Sequence, residues 1–91
     1  MKVLAFSHYP DLAGELVSAG ASVGEVSLLL TSDQKGKLAD VRGARRAVVC
    51  DSIISDDQAA LFDLLTELAR DYELLLLSSD KRGRELAGQI A

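Results

Sequence analysis

Two short polar stretches hold the side chains best suited to chemistry. One is Ser7-His8 near the amino end; the other is Ser78-Ser79, followed by Arg82, Gly83 and Arg84. Hydroxyls donate and accept hydrogen bonds, glycine lets backbone approach a ligand closely, and guanidinium groups fork onto anions. Placed at the amino end of a helix, whose free N–H groups favour negative charge, such residues would hold a phosphate or another anion. The competing reading is local: Arg84 and Glu85 bond to backbone or to each other and fix the turn. Neither G-x-G-x-x-G nor G-x-x-x-x-G-K-[S/T] occurs, so a nucleotide site here would be of a less recognisable kind.

Other reactive side chains stand alone. His8 is the only histidine and has no companion carboxylate pattern, so a polar loop residue is expected rather than a catalytic base or a metal ligand. Cys50 closes the apolar run Ala47-Val48-Val49, where a cysteine behaves as a small hydrophobe. Asp51, Asp56 and Asp57 do not follow a calcium-loop spacing, and Asp56-Asp57 suits a helix start instead. No nucleophile–base pair, paired carboxylates or metal cluster can be drawn, so no enzyme, no catalytic residue and no metal are expected.

The elements that must position these residues alternate. Lys2 to Ser7 reads as a short apolar strand, and Pro10 suits the first turn of a helix carrying Leu12, Ala13, Leu16, Val17 and Ala19, with Gly20 placed to stop it. Val23 to Thr31 reads as a second strand. Ser32-Asp33-Gln34 offers helix caps, but the stretch through Gly43 is glycine-containing and poor in apolar residues, which predicts a short helix or an irregular crossover. Arg45 to Cys50 is the third strand, and Asp51 to Asp57 a loop ending in a cap. Ala59-Ala60-Leu61, Leu64-Leu65 and Leu68-Ala69 then recur at helical spacing, with Asp63, Glu67 and Arg70 expected to pair along the surface. Leu74 to Leu77, without polar alternation, predicts a strand buried on both faces in the sheet's interior, and Lys81 onward a last helix.

This βαβαβαβα alternation predicts a single α/β domain over residues 1–91, a three-layer sandwich around a parallel sheet of about four strands in the order 3-2-1-4. Doubly wound domains normally add another strand, so a missing fifth strand, and a piece or minimal version of a larger fold, are expected. In that order the first and fourth strands are neighbours whose following helices leave to opposite faces. That arrangement opens a crevice at their carboxyl ends, between Ser7-His8 and Ser78-Arg84.

Composition bounds the partners. The 91 residues are 48% hydrophobic but 4% aromatic with no tryptophan, so the core must be aliphatic. A net charge of −4 argues against a non-specific nucleic-acid binder, and Lys35, Lys37, Arg42, Arg45 and Arg46 read as a solvated surface. No apolar run reaches the length of a membrane span, and the first residues do not resemble a signal peptide. A single cysteine cannot form an internal disulfide and fits a reducing cytoplasm.

The last third resembles the amino-terminal domain of the electron transfer flavoprotein alpha subunit. Members of that family carry an apolar strand, then a hydroxyl residue followed shortly by Gly-Arg-Asp/Glu-Leu-Ala opening a helix; the matching residues here are Ser79, Gly83, Arg84, Glu85, Leu86 and Ala87. Ala47-Val48-Val49-Cys50-Asp51 through Asp71-Tyr72-Glu73 is similar to the stretch before it, and Met1-Lys2-Val3-Leu4-Ala5-Phe6 to the family's opening strand. Gly88 stands where the family usually has proline. The resemblance implies an adenine nucleotide alpha hydrolase-like fold, with any nucleotide near the ends of the first and fourth strands.

The family's FAD is held mainly by a separate carboxy-terminal domain with no counterpart in these residues, so no flavin bound by this segment alone is implied. The implied role is a non-catalytic scaffold that packs on an electron transfer flavoprotein beta subunit, or self-associates, within an electron transfer system. The alternative is a small module binding AMP, another adenine nucleotide or an anion through Ser7, His8, Ser78, Ser79, Gly83 and Arg84.

Overall fold

A computed structural model describes residues 1–8, 10–34, 44–78 and 81–90. The crossover expected between the second and third strands falls mostly outside the described residues, as do Lys35, Lys37, Arg42 and Ser79. The elements in chain order are β1 (Lys2–Phe6), α1 (Pro10–Ala21), β2 (Glu25–Thr31), β3 (Arg46–Cys50), α2 (Gln58–Leu68), a 3₁₀ turn (Ala69–Asp71), β4 (Leu74–Leu77) and α3 (Lys81–Ile90). All four strands run parallel in the order β3-β2-β1-β4.

Successive side chains of a strand point to opposite faces, and β1 divides its residues accordingly. Val3 and Ala5 join Val26, Leu28 and Leu30 of β2 under Ala13 and Val17 of α1. Leu4 and Phe6 join Leu29, Leu61 and Leu65 of α2, and Leu86 of α3, on the other face. The result is three layers, with α1 alone on one side and α2 and α3 together on the other. Each fully buried leucine stabilises the fold by about 1.5–3 kcal/mol relative to exposure, so the second cluster carries the larger share of the core.

Cys50 is half-buried against that second cluster, with Sγ 3.5 Å from the Ser52 hydroxyl, in keeping with its reading as a small hydrophobe. β3 is more open. Val48 packs with Cys50 on the α2 side, while Ala47 and Val49 on the α1 side are exposed.

Several expectations shift in detail. The four leucines of β4 do not lie in the sheet's interior: β4 is an edge strand and all four are half-buried. Leu74 and Leu76 pack on the α1 side and Leu75 and Leu77 on the α2–α3 side, so both faces are apolar while the outer margin is open. The continuous apolar run reports two covered faces and is silent about lateral neighbours.

Gly20 does not stop α1, which continues through Ala21; a Cβ there would lie 2.7 Å from Val26 Cγ2, so glycine lets the helix sit down on β2. β2 begins at Glu25, and Val23 lies in the exposed turn before it. Asp63, Glu67 and Arg70 stay exposed without forming ion pairs among the described residues, because α2 ends at Leu68 and the tighter 3₁₀ turn carries Arg70 out of step.

Candidate functional site

The carboxyl ends of β1 and β4 lie side by side, in register from Val3↔Leu74 to Phe6↔Leu77. The helices that follow them lie on opposite faces of the sheet, so the junction is a topological switch point. Ser7 and His8 leave β1 there, Ser78 leaves β4, and Gly83 lies in the first turn of α3.

Ser7 is fully buried, and its carbonyl accepts a hydrogen bond from Gln34 Nε2 at 2.7 Å. His8 lies in the loop after β1, as expected of a polar loop residue, but is buried there: it is 4% exposed and stacks edge-on against Phe6, ring centroids 5.0 Å apart. Its Nε2 lies 2.6 Å from Gln58 Oε1. The Gln58 amide nitrogen in turn donates to the Arg82 carbonyl at 3.1 Å. That second bond orients the amide, so His8 Nε2 donates to Gln58 Oε1, and in the neutral imidazole Nδ1 is the acceptor. Among the described residues Nδ1 is buried without a hydrogen-bond partner. A buried acceptor left unpaired costs about 1–3 kcal/mol.

The Arg82 guanidinium bonds Asp56 Oδ1 at 2.5 Å rather than facing the crevice. Asp57 caps α2 by accepting from the Ala60 N–H at 3.1 Å, as the sequence reading expects. Ser55 does not share in that cap. Its hydroxyl and its N–H bond the two carboxylate oxygens of Asp33, at 2.5 and 3.0 Å, while Thr31 Oγ1 donates to Asp33 Oδ1 at 2.6 Å. Withdrawal from water pushes the Asp33 carboxyl up, but the Ser55 and Thr31 hydroxyls and the backbone N–H groups outweigh it, and the pKa falls from 3.8 to about 2. Asp33 therefore clamps the β3–α2 loop to the end of β2 as a carboxylate.

Gly83 explains how β4 meets α3. A Cβ built on it would lie 1.9 Å from the Ser78 carbonyl oxygen and 2.8 Å from the Ser78 hydroxyl. The backbone beyond β4 thus sits directly against the first turn of α3, and only glycine admits that approach. Arg84 is exposed and has no ion-pair partner among the described residues.

The six residues read as one site are therefore divided. Ser7 and His8 are buried beneath Gln34 and Gln58. Ser78, Gly83 and Arg84 line a groove of about 430 Å³ along the outer margin of β4, walled by Leu75, Leu76, Leu77, Ala87 and Ile90. Ser79 lies outside the described residues. The sequence reading did not single out Gln58, whose bond to His8 spans 50 positions and leaves no local spacing signal. Gln34 and Asp33 were read only as helix caps.

Among the described residues no three His, Cys, Asp or Glu side chains gather, and no helix is long and apolar enough to cross a membrane. Comparison with protein-family models, with curated proteins and with solved structures finds no match to this chain.

Proposed function

We propose that this chain is a non-catalytic, partner-binding α/β domain, related in role to the amino-terminal domain of the electron transfer flavoprotein alpha subunit. The observation that carries the docking role is the apolar groove beside the outer margin of β4, which pairs with no further strand among the described residues. Unpaired strand edges offer rows of N–H and C=O groups, and an apolar wall beside them adds area that gains from being covered. In the family setting the covering surface is a beta subunit, and the domain assists electron delivery while FAD lies elsewhere. The last helix, with Gly83 seated against Ser78 and followed by Arg84, Glu85, Leu86 and Ala87, is the part on which the family relation rests.

The test is calorimetry of the chain with FAD, AMP and ATP, alongside co-elution with an electron transfer flavoprotein beta subunit. The expected result is no heat with the three small molecules and a complex with the beta subunit. Failure to bind that subunit removes the family role.

A second reading is carried by His8 Nδ1, a buried acceptor without a partner at the switch point. An adenine nucleotide or another anion-bearing ligand whose hydrogen-bond donor reached His8 past Gln34 and Gln58 would satisfy it. Submillimolar AMP binding that is lost on His8→Phe would establish this reading in place of the first.

A further inference from the structure

We infer that the β4–α3 margin is the interface of a symmetric homodimer, in which two copies align β4 antiparallel and join their sheets into one. This rests on the docking reading above and names a second copy of the chain as the occupant of the margin when no beta subunit covers it.

Three features of the margin point the same way. First, among the described residues β4 bonds β1 on one side only, and Leu74–Leu77 contains no lysine, proline or other charge of the kind that blocks edge-to-edge pairing. Second, in a two-fold pair of identical strands, the residues whose backbone groups face outward must lie opposite one another. The axis therefore passes through Leu75 or Leu76. Such an axis stands perpendicular to the sheet and preserves its faces. The two α3 helices then meet on one side, and Ala87 and Ile90 of each groove wall face their counterparts.

Third, the charges are complementary only in this orientation. Glu73, just before β4, alternates onto the same face as Leu75 and Leu77, whereas Arg84 lines the groove at the other end beside Leu77 and Ser78. Antiparallel pairing brings Glu73 of each copy to the Leu77 end of the other, and so to Arg84, twice over. Both groups are available for it. Among the described residues Arg84 has no ion-pair partner, and the Glu73 side chain accepts only the Lys2 backbone N–H at 3.3 Å. A partner strand running parallel to β4 would leave Glu73 and Arg84 at opposite ends.

The experiment is sedimentation equilibrium of the full chain from micromolar to millimolar concentration, with circular dichroism to confirm folding of each variant. A dimer is expected. Ala87→Arg, at an exposed helix position, should convert it to a monomer. Glu73→Arg or Arg84→Glu alone should weaken association on the order of three- to tenfold, and the two together should restore it, because the charges are exchanged across the axis. The charge exchange decides the matter even if Ala87→Arg fails to fold. A chain that is monomeric throughout overturns the homodimer but not the docking reading, which co-elution with a beta subunit tests separately. A dimer that none of these substitutions weakens lies on another surface and also overturns the inference.

Discussion

Above β1 and β2 the chain covers its own strand ends. Gln34 reaches the Ser7 carbonyl, Gln58 spans from His8 to the backbone of α3, and Asp33 ties Thr31 to Ser55. Along β4 leucine side chains and the wall of α3 border a groove that is mostly apolar. The polar rim is satisfied internally and so has little left to offer a ligand, His8 Nδ1 excepted. The apolar margin exposes leucine and alanine side chains, and its surface gains by being covered. In this chain the place where the fold ideally binds small molecules and the place most in need of a partner are different places.

The contrast can be broken most severely at Gly83. Gly83→Ala gains about 1 kcal/mol of helix propensity but drives a methyl group into the Ser78 carbonyl, so α3 must lift off β4. A net loss of about 2–3 kcal/mol in urea unfolding is expected, with a fall in Tm on the order of 10 °C. An unchanged midpoint would mean that α3 does not depend on this close approach.

Gln58→Ala attacks the polar rim. It leaves His8 Nε2 and the Arg82 carbonyl without their partner, and a loss of about 2 kcal/mol is expected in the same assay. If the rim were ornamental, the variant would unfold with the wild type.

Asp33 gives a smaller, pH-dependent effect. Its folded pKa, about 2, lies below its ordinary 3.8, so its contribution is fully present above about pH 4 and is lost as pH falls from there towards 2. Because the residue is exposed, solvent screening reduces that contribution to about 1 kcal/mol. Asp33→Asn should lower stability at pH 7 by that amount and flatten the acid limb of a stability–pH curve between pH 4 and 2. A variant whose acid limb overlays the wild type would locate the acid sensitivity elsewhere.

The smallest effect sharpens the contrast from the other side. Ala87 belongs to the open margin and is exposed, so Ala87→Arg should change the unfolding free energy by less than about 0.5 kcal/mol in dilute solution. A large loss would mean that the groove is part of the chain's own core.

Much of the architecture was legible because it follows from local periodicity. Leu61, Leu64, Leu65 and Leu68 repeat at helical spacing, Pro10 opens α1, Asp57 caps α2, and strictly alternating strands and helices impose a parallel sheet. The pairing of β1 with β4 followed from the topology expected of such alternation. The site was less legible. That Ser7 and Ser78 would lie at neighbouring strand ends could be read. That Gln58 would hold His8, that Arg82 would turn to Asp56, and that Gly83 would fill the space beside Ser78 could not.

The amino-acid sequence by itself determined which segments are strands, which faces of them are apolar, and hence the class of fold, since these depend on neighbours two to four positions apart. The tertiary structure alone decided that the histidine is buried, and that the predicted site divides into a closed polar rim and an open apolar margin. Those outcomes depend on side chains brought together from distant loops, where an amide, a carboxylate or a missing methyl group selects one contact among many that no local pattern distinguishes.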